Sequence, residues 1–125
     1  MNPPGSVARR RPEARRAPPA PARIIVSAIE HPSVLAPAER LRAQGYDVQL
    51  ARVTRDGVLD LDHLRALLTP QARLASVMLG NNETGVLQPL AEIARLCAAS
   101  NVLLHCDAVQ AVGKIPVNFA ELGVH

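Results

Sequence analysis

The chain has 125 residues, of which 48% are hydrophobic and only 2% are aromatic. This length predicts one domain or part of one, and the lack of aromatic side chains argues against a surface that stacks unpaired nucleic-acid bases. Two cysteines cannot form a disulfide framework and indicate a reducing, cytoplasmic location. No apolar run approaches the roughly 18 residues of a membrane span. We therefore expect neither a nucleic-acid nor a membrane partner.

Basic charge is concentrated at the start of the chain. Residues 1–23 contain six arginines and one acid, whereas residues 24–125 contain eight Lys and Arg against ten Asp and Glu. Residues 1–22 are rich in Pro, Ala and Arg, cannot bury apolar surface and are predicted to be a disordered tail. Residues 23–125 are predicted to form part of an α/β domain.

Strand-like and helix-like segments alternate along this body. Continuous apolar runs predict buried strands, and residues 46–50 alternate between apolar and polar, which favours a strand near an edge of the sheet. Ser33, Asp60 and Pro89 are expected to begin helices, while Gly45 and Asn101 are expected to end them. The predicted strands are 23–29, 46–50, 74–79 and 102–106, and the predicted helices are 34–44, 61–68 and one that begins at Pro89.

The alternation predicts a three-layer α/β fold with a mainly parallel sheet flanked by helices. Polar residues follow three of the strands: His31 follows the first, Asn82 the third, and Asp107 and Gln110 the fourth. Ligands of open α/β sheets bind at the carboxyl ends of the strands. We therefore expect these four side chains to meet at one edge of the sheet.

Several ligands can be compared with this set of side chains. A metal ion would have only two strong coordinating side chains, His31 and Asp107, so no metal site is predicted. A phosphate would find no glycine-rich cradle, and a hydrolytic triad lacks a nucleophile. An aromatic heterocycle with a protonated ring nitrogen fits better, because an acid can pair with that nitrogen, as in pyridoxal phosphate enzymes.

Three segments then resemble one family. Residues 30–34 (EHPSV), 81–85 (NNETG) and 105–114 (HCDAVQAVGK) are similar to motifs of the class V aminotransferases, and most of all to the cysteine desulfurase branch. The resemblance extends from about residue 23 to residue 125 and implies part of the large domain of a type I pyridoxal-phosphate-dependent transferase.

The resemblance implies a role for each residue of the cluster. His31 would stack on the pyridoxal ring and take part in proton transfer, Asp107 would hold the pyridinium nitrogen, and Asn82 and Gln110 would bind near the ring hydroxyl. The family takes sulfur from L-cysteine, leaves L-alanine, and passes the sulfur to an acceptor protein for iron–sulfur clusters or tRNA thiolation. A full-length member is expected to be a homodimer.

Other parts of the family pattern have no counterpart in these residues. The Schiff-base lysine belongs to a Ser-x-His-Lys run that would lie beyond His125, and Lys114 matches an ordinary turn lysine instead. Neither Cys97 nor Cys106 matches the catalytic cysteine. We therefore expect these 125 residues alone to have no desulfurase activity. The alternatives are a non-catalytic α/β module that binds a ligand or partner, and another class V aminotransferase or lyase.

Overall fold

The computed structural model describes residues 20–80, 85–108 and 124–125. Four parallel strands form one sheet in the order β2-β1-β3-β4. Helices lie on both faces, so the predicted three-layer α/β fold is confirmed. The strands are β1 (Arg23–Ser27), β2 (Asp47–Ala51), β3 (Ala72–Ser76) and β4 (Leu103–His105), and the helices are α1 (Pro32–Ala43), α2 (Leu61–Leu67) and α3 (Leu90–Ala99).

The start of α1 differs from the prediction. The helix begins at Pro32 and not at Val34, and the cap is His31, whose side chain accepts a hydrogen bond from the Ser33 N–H. The prediction that Ser33 caps the helix was therefore wrong. Proline suits the first helical position, because its fixed φ is already helical and the N–H that it lacks would have no partner there.

The other helix ends agree better with the sequence. Asp60 caps α2, and its side chain accepts a hydrogen bond from the His63 N–H. Gly45 has a φ of 99° just after α1, and Asn101 has a φ of 55° just after α3. These left-handed conformations satisfy the last carbonyl groups of a helix and end it, as predicted for both residues.

The two faces of the sheet have separate cores. On one face, Ala38 of α1 packs with Val26 of β1 and Val48 of β2. On the other face, α2 and α3 pack on a larger cluster of buried side chains. Its fully buried members include Ile25, Leu59, Leu64, Ala75, Ile93, Cys97 and Leu104. The buried side of α3 consists of Leu90, Ile93, Ala94 and Cys97.

β2 forms one edge of the sheet, as its alternating pattern predicted. Its Leu50 side chain is 43% exposed, and the Arg23 guanidinium donates to the Asp47 carboxylate across β1 and β2 at 2.7 Å. β4 lies at the other end of the sheet order. There the His125 N–H donates to the Leu104 carbonyl at 3.0 Å, so the last residue of the chain lies along the outer side of β4.

Three strands are shorter than the apolar runs that predicted them, and β4 (Leu103–His105) lacks one residue at each end of the predicted 102–106. β1 ends at Ser27, two residues before Ile29, and β3 spans Ala72–Ser76 where residues 74–79 were expected. Regular pairing between β3 and β4 ends at Ser76 and His105. Two further hydrogen bonds lie beyond this pair of residues. The Val77 N–H donates to the His105 carbonyl, and the Leu79 N–H donates to the Asp107 carbonyl.

Candidate functional site

The carboxyl ends of β1, β3 and β4 lie side by side, and we call the segments that follow them, residues 28–31, 77–80 and 106–108, the rim. β3 is hydrogen-bonded to both neighbours, so His31 and Asp107 follow strands that flank it. The Leu79 N–H donates to the Asp107 carbonyl at 2.9 Å. The structure thus confirms the topology from which a shared site was predicted.

The His31 side chain has a defined orientation. Its Nδ1 accepts a hydrogen bond from the Ser33 N–H at 3.0 Å and lies 2.9 Å from the Ser33 hydroxyl oxygen. Because a backbone N–H can only donate, Nδ1 must offer a lone pair, and the ring proton is therefore carried by Nε2. The ring is exposed to solvent at the start of α1, where it can contact a ligand.

Asp107 lies two residues beyond β4 and is half-buried. Its main chain is hydrogen-bonded to the segment after β3 through the Leu79 N–H. The negative charge of its carboxylate acts on Cys106 and on Glu30. The site therefore favours a positively charged ligand.

The described residues on either side of the NNETG motif are joined to each other. Gly80 and Leu87 form an antiparallel bridge, and the Gln88 N–H donates to the Leu79 carbonyl at 2.8 Å. The positions of Asn82 and Gln110 themselves lie outside the described residues. Their predicted roles stay predictions.

Gln88 holds the NNETG loop to the chain before α2. Its side chain is buried, its Oε1 accepts from the Leu59 N–H at 2.8 Å, and its Nε2 donates to the Gly57 carbonyl at 2.9 Å. These two bonds connect the segment after the NNETG loop with residues 57–59. Gln88 could not be predicted from the sequence to make this contact, since a single glutamine carries no periodic signal.

Glu30 was also missed as a site residue. It is only 4% exposed, and its Oε1 accepts from the Met78 N–H at 2.6 Å and from the Ser27 hydroxyl at 3.1 Å. Burial, reinforced by the charge of Asp107, raises the pKa of this carboxyl from 4.5 to about 7 although the two hydrogen bonds oppose the rise. A glutamate so deeply buried is rare unless it is paired.

Neither cysteine in the described part of the chain has the environment of a nucleophile. Burial raises the pKa of the Cys97 thiol to about 11. Burial, followed by the charges of Glu30 and Asp107, raises the pKa of the Cys106 thiol to about 11 as well. Since the thiolate is the reactive form, both side chains are weak nucleophiles at neutral pH.

Two histidines have contacts that the sequence did not indicate. His63 lies on α2, and its Nδ1 accepts from the Arg52 N–H at 2.9 Å. His105 lies on β4 with its Nδ1 2.8 Å from the Ser76 hydroxyl oxygen. This pair lies in a groove of about 230 Å³ between α1 and the neighbouring strands, lined mainly by apolar side chains.

The described residues contain neither a cluster suited to a metal ion nor a helix suited to a membrane. Residues 20–80, 85–108 and 124–125 contain no group of three or more His, Cys, Asp or Glu arranged to hold a metal ion. Within the same ranges, no helix has the length and apolar character that crossing a bilayer requires.

The chain is similar to known proteins of one family. Residues 13–125 match the family model described as Aminotransferase class-V. Over 94 residues, the chain is 51% identical to a protein of Klebsiella pneumoniae named cysteine desulfurase, and the match covers 75% of this chain and 24% of that protein. The chain therefore spans about a quarter of the length of this relative.

Solved structures show the same architecture. A structure titled NifS-like protein superposes with a TM-score of 0.80 at 37% identity and covers 83% of this chain and 29% of that chain. A structure titled SspA in complex with cysteine superposes with a TM-score of 0.77 at 26% identity, over 83% of this chain and 30% of that chain.

Proposed function

Because the chain belongs to the class V aminotransferase family, we propose that it forms one wall of the cofactor site of a pyridoxal-phosphate-dependent cysteine desulfurase. The observation that carries the proposal is the convergence of His31, Asp107 and the base of the NNETG loop at one rim. The names of the relatives favour sulfur removal from L-cysteine over the amine transfers and eliminations of other class V enzymes.

The residues at the rim fit the chemistry of pyridoxal phosphate. When bound, this group withdraws electrons from a substrate amino acid, and it does so best when its ring nitrogen is protonated. Asp107 is a half-buried acid that would hold that positive nitrogen, and the main-chain bond to Leu79 keeps it in place. Asn82 and Gln110 would bind beside the ring hydroxyl, as amides with both donor and acceptor atoms can.

His31 would lie over the ring and move a proton. The hydrogen bond from the Ser33 N–H occupies Nδ1 and keeps the ring at the start of α1. Nε2 then carries the mobile proton, so His31 would donate from this atom and become an acceptor there after donating. Under this proposal, Nε2 would be the ring atom that transfers the proton.

The remaining parts of the reaction are not supplied by the described residues. The sequence contains one lysine, Lys114, and the two cysteines have raised pKa values. We propose that the 125 residues alone do not release sulfur from L-cysteine. Transfer of sulfur to an acceptor protein and formation of a homodimer would belong to a longer chain. The cytoplasm remains the proposed location.

Binding of a cofactor analogue tests the proposed wall. We would titrate the isotope-labelled chain with 4′-deoxypyridoxine 5′-phosphate, which lacks the aldehyde and cannot react with lysine, and follow backbone amide signals. We expect saturable changes at the rim. Asp107→Asn should weaken binding by about tenfold or more, since one lost charged contact is worth about 1.4 kcal/mol or more. Asp62→Asn, on the exposed side of α2, is the matched control.

Two outcomes would contradict the proposal. One is the absence of saturable changes at millimolar analogue, and the other is equal weakening by the two substitutions. A separate reaction with pyridoxal phosphate and L-cysteine tests the expected inactivity. Stoichiometric formation of alanine by the 125 residues would show that they form a complete catalyst.

A further inference from the structure

Glu30 is the buried carboxyl at the rim to which the proposed chemistry gives no role. Its Oε1 accepts two hydrogen bonds, from Met78 and Ser27. Its Oε2 is buried and, within the described part of the chain, has no hydrogen-bond partner. No arginine among the described residues forms a salt bridge with it. A buried carboxylate in this state is unfavourable, whereas a protonated carboxyl is tolerated.

In the described part of the chain, the groups that act on the charge of Glu30 are neutral or acidic. Ser27 comes from β1, the Met78 N–H comes from the segment after β3, and Cys106 and Asp107 come from the segment after β4. His31 follows Glu30 directly, but its ring is turned to Ser33. The negative charge of Asp107 therefore acts on Glu30 without an opposing cation among these groups, and it favours a proton on Glu30.

The hydrogen bond from Met78 also lets Glu30 connect two segments of the chain. Met78 is 48 positions away in the sequence and lies two residues before Gly80, where the loop that contains Asn82 begins. The same carboxyl lies next to His31 in the chain. Glu30 thus joins the segment that presents His31 to the segment that leads to Asn82.

We propose that Glu30 is a positioning residue of the rim, which ties the end of β1 to the end of β3 and carries a proton, so that Asp107 is the one of these two carboxyls that holds a positively charged ligand. Only the predicted effect of a bound ligand on Glu30 rests on the proposed function. Since a positive ring nitrogen beside Asp107 would favour the ionised form of Glu30, binding of such a ligand near neutral pH should release the proton of Glu30.

Two substitutions separate the geometric effect from the charge. Glu30→Gln keeps an oxygen that can accept from Met78 and Ser27 but cannot ionise. Glu30→Ala removes both the acceptor and the charge. Glutamine can therefore replace Glu30 as a hydrogen-bond acceptor and as a neutral group, but it cannot release a proton when a ligand binds.

Carbon NMR of the chain labelled at its glutamate carboxyl carbons measures the charge directly. We expect one glutamate signal, absent in Glu30→Gln, to titrate near pH 7. Asp107→Asn should lower that midpoint, while Asp62→Asn should leave it unchanged. A midpoint below about 5, which is close to an ordinary glutamate, or a midpoint insensitive to Asp107→Asn would overturn the charge-setting role.

Hydrogen exchange at the Met78 amide measures the geometric role. Glu30→Gln should preserve protection of this amide. Glu30→Ala should increase its exchange rate by at least about tenfold relative to amides of α2, because its buried acceptor is lost. Equal protection in the two variants would overturn the positioning role. Should Glu30→Ala not fold, faster exchange in Glu30→Gln than in the unchanged chain would overturn it equally.

The analogue links Glu30 to the ligand. In weakly buffered solution at neutral pH, 4′-deoxypyridoxine 5′-phosphate should release more protons per bound molecule from the unchanged chain than from Glu30→Gln. Equal release would overturn the linkage. Failure of the analogue to bind would refute the proposed function instead, and the titration and exchange experiments would still decide the role of Glu30.

Discussion

Replacing Gln88 tests the contact that fastens the NNETG loop to the rest of the domain. Glu30 apart, Gln88 is the largest buried polar side chain among the described residues. Gln88→Ala removes the acceptor of the Leu59 N–H and the donor to the Gly57 carbonyl. Each buried group left without a partner costs about 1–3 kcal/mol, so the free energy of unfolding should fall by about 2–5 kcal/mol.

Urea unfolding followed by circular dichroism measures this loss, and thermal unfolding offers a second estimate. For a domain near this size, about 1 kcal/mol corresponds to about 4–8 °C in Tm, so we expect a fall of about 10 °C or more. Gln71→Ala is the matched control, because Gln71 is exposed, and it should change stability by less than about 0.5 kcal/mol. A loss below about 1 kcal/mol for Gln88→Ala would refute the reasoning, since even one unsatisfied buried group costs that much.

Three further predictions concern the pH dependence of stability, the cap of α2 and the core. Because the pKa of Glu30 is about 7 in the fold against 4.5 ordinarily, its contribution to the free energy of unfolding is complete below about pH 4.5 and is lost as the pH rises to about 7. Urea titrations at both ends of this range should show that Glu30→Gln, but not Glu39→Gln, removes a fall of about 3 kcal/mol. Asp60→Ala should cost about 1 kcal/mol in the same assay by removing the cap of α2, while Asp60→Asn should retain most of the stability. Leu104→Ala should cost about 2–5 kcal/mol by opening a cavity, whereas the adjacent Leu103→Ala, at a side chain that is 55% exposed, should cost far less.

The order of strands and helices was predictable because it depends on local patterns. Continuous apolar runs and helical stripes record which segments are buried, and parallel strands joined by helices leave few topologies. The alternation of residues 46–50 also located β2 at an edge, where one face meets solvent. Helix ends marked by Asp60, Gly45 and Asn101 were readable for the same reason, since capping is decided within a few residues.

Strand boundaries were less predictable, because burial and backbone pairing are different properties. Val77, Met78 and Leu79 are all buried, which explains why the apolar run was extended to residue 79. Regular pairing nevertheless ends at Ser76. Beyond it, the chain makes single hydrogen bonds to β4 and one to the Glu30 side chain. A long-range side-chain contact thus replaces the regular hydrogen bonds of the sheet.

Glu30 shows why a site motif can be recognised while one of its residues is overlooked. In the sequence it is the residue before a histidine, and nothing local distinguishes it from an exposed glutamate. Its properties come from Met78 and Asp107, which are 48 and 77 positions away. Asp107 is half-buried at the end of β4, whereas Glu30 is enclosed at the end of β1. Two carboxyls at neighbouring parts of one rim can therefore have different roles. The half-buried one can bind a positive charge, while the enclosed one carries a proton and accepts a hydrogen bond from the adjoining main chain.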